Sequence, residues 1–329
     1  MIVEKQKNYL IWLLKIVATI MVIYIHGANI FSYSKISMPD YLRPFSMLTI
    51  TGVPLFMIIS GYLFFHKEGV DWKVNLLRKT KRLAIPFLIW SGFWIVLEAV
   101  GFLLLPSKFE NVYEWSFQVF LLKWIGIPFS SMPLYAPLWY VRDLFIISVF
   151  VPFIQRSLVK YSTPLLVVLT VLWFAPINNM LRQTIVLFII GELLKITSKK
   201  IENLRMDFRI GFLTLAFGIV FSFIKIDFFN RLTIMLYLIS IFLLCKELIN
   251  NDGIKIKCEY LASFIFMIYV LHGKPLSVMQ IIYTLVFYST GMVIAGYFLI
   301  PIICFFVCLI VGMAFSRALP CIYKFCTGE

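Results

Sequence analysis

From Tyr9 to Arg317 the sequence keeps returning to long apolar runs, Ile16 to Ile25 and Leu299 to Val311 among them, with no polar block large enough for a separate soluble domain. Crossing a bilayer takes about 20 such residues, and a helix is the form in which a single segment satisfies its own backbone there. Composition agrees. Hydrophobic residues make up 61% of the 329 and charged ones 14%, with a mean hydropathy of +0.93. A globular domain runs about 45–50% apolar and about 25% charged, so an ordinary soluble protein is excluded. The expectation is an all-α fold: a polytopic transmembrane helical bundle forming one integral membrane domain over residues 1–329. Ten spans can be marked, near residues 10–31, 44–66, 83–105, 138–156, 162–177, 181–197, 209–227, 229–249, 259–283 and 290–316, the fifth and sixth being short.

The net charge of +14 must be placed before its sign is read. With the N-terminus inside, the outer segments hold seven cations, Lys35, Arg43, Lys108, Lys123, Arg182, Lys225 and Arg231, against twenty in the inner segments. An excess of Lys and Arg in short inner loops is what orients membrane helices. Both termini are therefore expected in the cytoplasm, in what reads as a multi-pass membrane protein. The basicity reflects topology, and no nucleic-acid partner is implied. The first apolar stretch runs into Ile30-Phe31-Ser32-Tyr33 instead of a small-residue cleavage site, which predicts a retained helix.

All six cysteines fall in the last third. Cys304 and Cys308 share a helix face, but two thiols without a further ligand favour packing over a metal site. The longest stretch between spans, Pro106 to Pro137, contains a segment from Trp115 to Trp124 that reads as a short interfacial helix.

Ionisable residues inside spans carry an insertion cost unless they face protein or water. They are Lys15, His26, Glu98, Arg142, Asp143, Glu192, His272 and Lys274. Lys15 and His26 are eleven residues apart, close to three turns, so they share one helix face about 16 Å apart. A snorkelling lysine and an interhelical histidine would give the same pattern. His272 divides between a substrate-site polar group and an interhelical hydrogen bond, and His66, at an inner helix end, reads as interfacial. The densest basic cluster, Arg78-Lys79-Thr80-Lys81-Arg82, precedes Pro86. It could hold phosphates or serve as a lipid-headgroup cluster.

These pieces, in order, resemble the membrane acyltransferase 3 family, bacterial proteins that O-acylate surface sugars. Lys15 through His26 resembles the family's arginine, ten residues, histidine pattern, with lysine in the arginine's place. Val53-Pro-Leu-Phe-Met-Ile-Ile-Ser60-Gly61-Tyr62 looks like its Phe-x-x-Ser-Gly-Tyr signature, and Lys79-x-x-Arg82 before Pro86 is similar to its Arg-x-x-Arg. Leu138-Trp139-Tyr140, Gly191-Glu192-Leu193 and Ile268-Tyr269-Val270-Leu271-His272 complete the likeness. Asn29 and Phe31 stand about a turn beyond His26, where members often carry an acid.

The resemblance implies transfer of an acyl group, most often acetyl, from cytoplasmic acyl-CoA to a hydroxyl of an extracytoplasmic or lipid-linked sugar. Acyl-CoA is then the donor substrate, with a carbohydrate acceptor, the lipid bilayer as surroundings and no metal. Acyl transfer to a hydroxyl needs a base within hydrogen-bond reach, and a neutral imidazole suits that. His26 is the candidate, as base or as a transiently acylated nucleophile. Arg142 is a candidate donor to the developing oxyanion, with Asp143 or Glu98 orienting it. Lys79, Arg82, Arg78 and Lys15 would hold the CoA phosphates, Ser60 and Tyr62 would line the acyl-CoA path, and His272, Asn29 and Trp139 would lie on the acceptor side. Ser60 sits too near the cytoplasmic end to be the nucleophile. The competing class is a transporter of a polar solute, since intramembrane charges also mark permeation paths, but no internal repeat of the kind transporters often carry is visible.

Overall fold

The computed structural model describes residues 8–64, 71–104, 117–128, 130–175, 182–197 and 207–328. His66 and Trp115 lie outside them. Every regular element among the described residues is helical. Those used below are α1 (Tyr9–Gly27), α2 (Asn29–Tyr33), α3 (Arg43–Ile50), α4 (Gly52–Phe64), α5 (Trp72–Lys79), a π-helical turn (Thr80–Ala84), α6 (Ile85–Leu104), α7 (Phe117–Ile125) and α8 (Trp139–Lys160). The chain continues through α9 (Ser162–Phe174), α10 (Leu187–Ile196), α11 (Phe208–Ser222), α12 (Asp227–Leu248), α13 (Asp252–Ala262), α14 (Ile265–Leu271), α15 (Gly273–Val286), α16 (Thr290–Ala318) and α17 (Pro320–Thr327).

Among the described residues, six stretches are long and apolar enough to cross a membrane: Tyr9–Tyr33, Asp40–Phe64, Trp72–Gly101, Ala136–Lys160, Asp227–Leu248 and Thr290–Ala318. The pair Ile265–Leu271 and Gly273–Val286, bent by 52°, makes a seventh if counted as one span. The apolar helices Ser162–Phe174 and Phe208–Ser222 are shorter. At about 1.5 Å per residue they reach roughly 20 Å, less than the ~30 Å hydrocarbon core. One expectation needs correcting: residues 259–283 do not form a continuous span. That region comprises the end of α13, then α14 and α15, with the break at His272. Gly273 and Pro275 follow the break: Pro275 has no N–H to donate to the Leu271 carbonyl four residues back, and it sits in the first turn of α15, where a proline is tolerated.

The described chain falls into two compact units. The first takes in residues up to 59, 173–175 and 197–313. Asn8 caps α1, its side chain accepting from the Ile11 amide at 3.1 Å. Helix α4 begins against α1 at Gly52, where a Cβ would stand 2.8 Å from Met21 Cβ and 3.1 Å from the Ala18 carbonyl oxygen. Tyr24, Phe45, Tyr297 and Phe298 form a ring cluster, and the Tyr24 hydroxyl donates to the Phe298 carbonyl at 2.8 Å. Two of the cations assigned to outer segments are committed within this unit. Arg43 donates to the Ser222 carbonyl and to Asn230 Oδ1, while buried Arg231 donates to the Trp173 and Ala175 carbonyls and pairs with Asp227.

The second unit takes in residues 60–172, 176–196 and 314 onward. Phe64, Ile147, Val151, Leu158, Phe188 and Leu193 form its core. Gly61 makes the close approach there: a Cβ would fall on the Phe188 carbonyl of α10, so only glycine fits. Asn75 of α5 ties to α8, donating to the Ser148 carbonyl at 2.8 Å. The expected helix near 115–124 is present as α7, and it docks on α6 through Ser91 Oγ to the Trp124 carbonyl at 2.5 Å and Trp124 Nε1 to the Leu88 carbonyl at 3.3 Å.

Candidate functional site

In the first unit, α1 carries His26 in its last turn and ends at Gly27, where a Cβ would stand 2.9 Å from Pro301 Cγ. The missing side chain lets α16 pass against the end of α1. The His26 ring lies 5.3 Å, centroid to centroid, from that of His272, with the planes inclined at 43°. His26 is partly exposed and His272 is fully buried.

His272 Nδ1 lies 2.7 Å from the Tyr269 carbonyl oxygen. A carbonyl only accepts, so Nδ1 carries the proton and Nε2 of the neutral ring keeps a lone pair. That Nε2 is buried with no hydrogen-bond partner among the described residues. Buried Gln280 donates from Nε2 to the Gly27 carbonyl at 2.6 Å and to the His26 carbonyl at 3.4 Å. Both partners accept, which fixes the amide orientation. Gln280 thus holds the backbone that carries His26. The sequence reading passed over Gln280, although a polar amide in an apolar helix two turns beyond His272 is a usable signal. Cys304 Sγ lies 3.5 Å from the His272 carbonyl and 3.9 Å from Cys308 Sγ, and both thiols are buried.

Of the other candidates in this unit, Lys15 and Lys274 are partly buried, and the Thr19 hydroxyl donates to the Lys15 carbonyl. Asn29 is exposed at the start of α2.

In the second unit, Arg142 and Asp143 form a buried pair, Nε to Oδ1 at 2.8 Å. Arg142 Nη1 also donates to the Ile125 carbonyl at 2.8 Å and the Ser131 carbonyl at 2.9 Å. The loop meets the guanidinium at Gly126, whose φ of +69° is left-handed and whose Cβ would lie 2.5 Å from Nη1. Arg142 Nη2 is buried and has no partner among the described residues. Glu98 is partly buried and interacts with Lys123 of α7; burial lowers the Lys123 pKa and the Glu98 carboxylate acts in the opposite direction.

Ser60 Oγ and the Tyr140 hydroxyl are 2.8 Å apart, and Trp139 meets Tyr140 edge-on at 6.4 Å. Lys195 Nζ lies 4.7 Å over the Tyr62 ring and donates to its hydroxyl at 3.4 Å. Glu192 is fully buried with neither carboxylate oxygen partnered among the described residues. Arg78 and Lys79 are partly buried, with Lys79 Nζ 4.8 Å over the Phe64 ring. Arg82 is exposed on the π-helical turn and makes no ion pair with a described residue.

The structure therefore brings His26 to His272, Arg142 to Asp143, and Ser60 to Tyr140. A family model described as an acyltransferase domain matches residues 8–317. The chain belongs to this acyltransferase family. A succinoglycan biosynthesis protein, ExoH, of Rhizobium meliloti (strain 1021) is 29% identical over 198 residues, 54% of this chain and 51% of that protein. The chain thus spans about half the length of this curated relative. No solved structure matches. The range shared with the acyltransferase family contains every candidate residue from Lys15 to His272 and ends before α17.

Proposed function

We propose that the chain is an integral membrane O-acyltransferase that moves an acyl group, acetyl in the first instance, from cytoplasmic acyl-CoA to a hydroxyl of an extracytoplasmic or lipid-linked sugar of a surface polysaccharide. The observation that carries the reading is the His26–His272 pair inside a chain of the acyltransferase family. The role of the relative in succinoglycan biosynthesis supports the polysaccharide acceptor. The one-sided basic residues support ten spans with both termini in the cytoplasm of a bacterial inner-membrane protein.

His26 takes the proton of the acceptor hydroxyl as its oxygen attacks the thioester carbonyl; the C–S bond then breaks and the thiolate leaves with that proton as free CoA. His272 is assigned as a positioning residue, its buried ring packed beside that of His26. Arg142 Nη2 has no partner among the described residues, and this donor is assigned to the charge developing on the carbonyl oxygen, with Asp143 orienting the guanidinium. Glu98 is assigned to holding α7. Lys79 and Arg82, with Arg78 and Lys15, receive the CoA phosphates; Ser60 and Tyr62 line the path of the arm; Asn29 and Trp139 stand on the acceptor side.

The helix break at His272 would also suit a permeation path, and the family match weighs against that reading. Purified protein given acetyl-CoA and surface glycan should release free CoA. His26→Ala should lower that rate by about 10²–10⁴-fold while eluting as wild type. Full activity in the His26 variant would remove the proposed base.

A further inference from the structure

The turn that carries Arg82 is not held by its own helix alone. Thr80–Ala84 is a π-helical turn, a departure from α-helix that is frequent at functional sites. Within the same unit, α17 ends at Gly328, which has a φ of +74° and lies directly on this turn. A Cβ on Gly328 would stand 2.6 Å from Arg82 Cα and 2.9 Å from the carbonyl oxygens of Lys81 and Arg82. Two independent reasons thus select glycine: the left-handed backbone and the lack of space. The tail is fixed in turn by Trp90 of α6, whose indole donates to the Cys326 carbonyl at 3.0 Å in a buried bond. Tyr323, Cys326 and Thr327 are buried beside it. This support lies beyond the residues shared with the acyltransferase family, which end at 317.

We propose that Gly328 and the helix before it are positioning elements of the donor site: they brace the backbone of Lys81 and Arg82, so that Arg82 is presented in one orientation to the phosphates of the acyl donor. The inference rests on the phosphate role given above to Lys79 and Arg82. A planar guanidinium binds phosphate through two parallel hydrogen bonds, so its value depends on orientation in a way that a point charge does not. A side chain at position 328 must push the tail off the turn or move the turn itself. Either change loosens Arg82 through its backbone and leaves the guanidinium itself unaltered.

The test compares two thioester donors in the full-length protein. Acetyl-CoA carries the nucleotide phosphates, and acetyl-pantetheine carries the same arm without them. In Gly328→Val the KM for acetyl-CoA should rise about tenfold, the equivalent of one charge-assisted contact, with kcat and the KM for acetyl-pantetheine unchanged. Trp90→Phe, which keeps an aromatic ring but loses the indole N–H that bonds Cys326, should move the same ratio in the same direction by less. It provides a second readout if Gly328→Val does not fold. A general packing defect would affect both donors alike, and that result overturns the proposal. Arg82→Gln separates the two layers. If it raises the ratio of KM values and neither Gly328→Val nor Trp90→Phe does, the bracing role is wrong and the phosphate role stands. If Arg82→Gln leaves the ratio unchanged, the phosphate role fails and the bracing role fails with it.

Discussion

A buried imidazole with one nitrogen tied to a carbonyl has a single nitrogen left for any other task. His272 is in that position, and the neighbouring ring is His26. His272→Ala should therefore lower kcat by at least about tenfold, with His272→Gln, which keeps an acceptor, retaining more activity. Equal losses in the two variants, tracking the amount of folded protein, would reduce His272 to packing. Asp143 makes the opposite case, a charge whose first effect is on stability. Removing one partner of a buried ion pair costs about 3–5 kcal/mol because the other charge is left uncompensated. Asp143→Leu should accordingly lower the thermal midpoint of the detergent-solubilised protein, and Asp143→Asn should lower it less. His26 and His272 could both be singled out from sequence, because ionisable groups are rare in spans. Their contact could not, since it depends on how α1 and α15 meet. The commitment of Arg142 to the Ile125 and Ser131 carbonyls was equally invisible, being set by how the short loop before α8 folds back on it.

Among the helices, the glycines separate into close approaches and open positions. Gly61→Ala would place a methyl on the Phe188 carbonyl, an overpacking that costs about 1–3 kcal/mol. Gly291→Ala meets nothing within 4 Å and serves as the control. The first should lower the thermal midpoint and the second should not. A pair of small residues such as Ser60-Gly61 lets helices approach closely, and the structure identifies α10 as the partner of Gly61. The break at His272 was also written in the sequence, as Gly273 and Pro275. A continuous span was nonetheless expected there, because hydropathy across 259–283 does not register a bend. The π-helical turn at Thr80–Ala84 has no comparable sequence signal.

Over the whole chain, the apolar segments and the distribution of lysine and arginine already specify a helical membrane protein, because lipid admits few alternatives for the backbone. Residue type alone could not distinguish cations that orient helices from cations that bind carbonyls, as Arg43 and Arg231 do. The topology has a built-in probe. Cys321 is exposed, while Cys245, Cys258, Cys304, Cys308 and Cys326 are buried. A membrane-impermeant maleimide should label Cys321 only after the cells are permeabilised. Labelling in intact cells would place α17 and the turn it touches outside, away from cytoplasmic acyl-CoA. The central claim concerns the product made in the cell. It is tested most directly by mass spectrometry and NMR of surface glycan from a deletion strain complemented with wild type or His26→Ala. The account predicts an acetyl signal that wild type restores and His26→Ala does not; an acetyl signal undiminished in the deletion strain, or restored in full by His26→Ala, would contradict it.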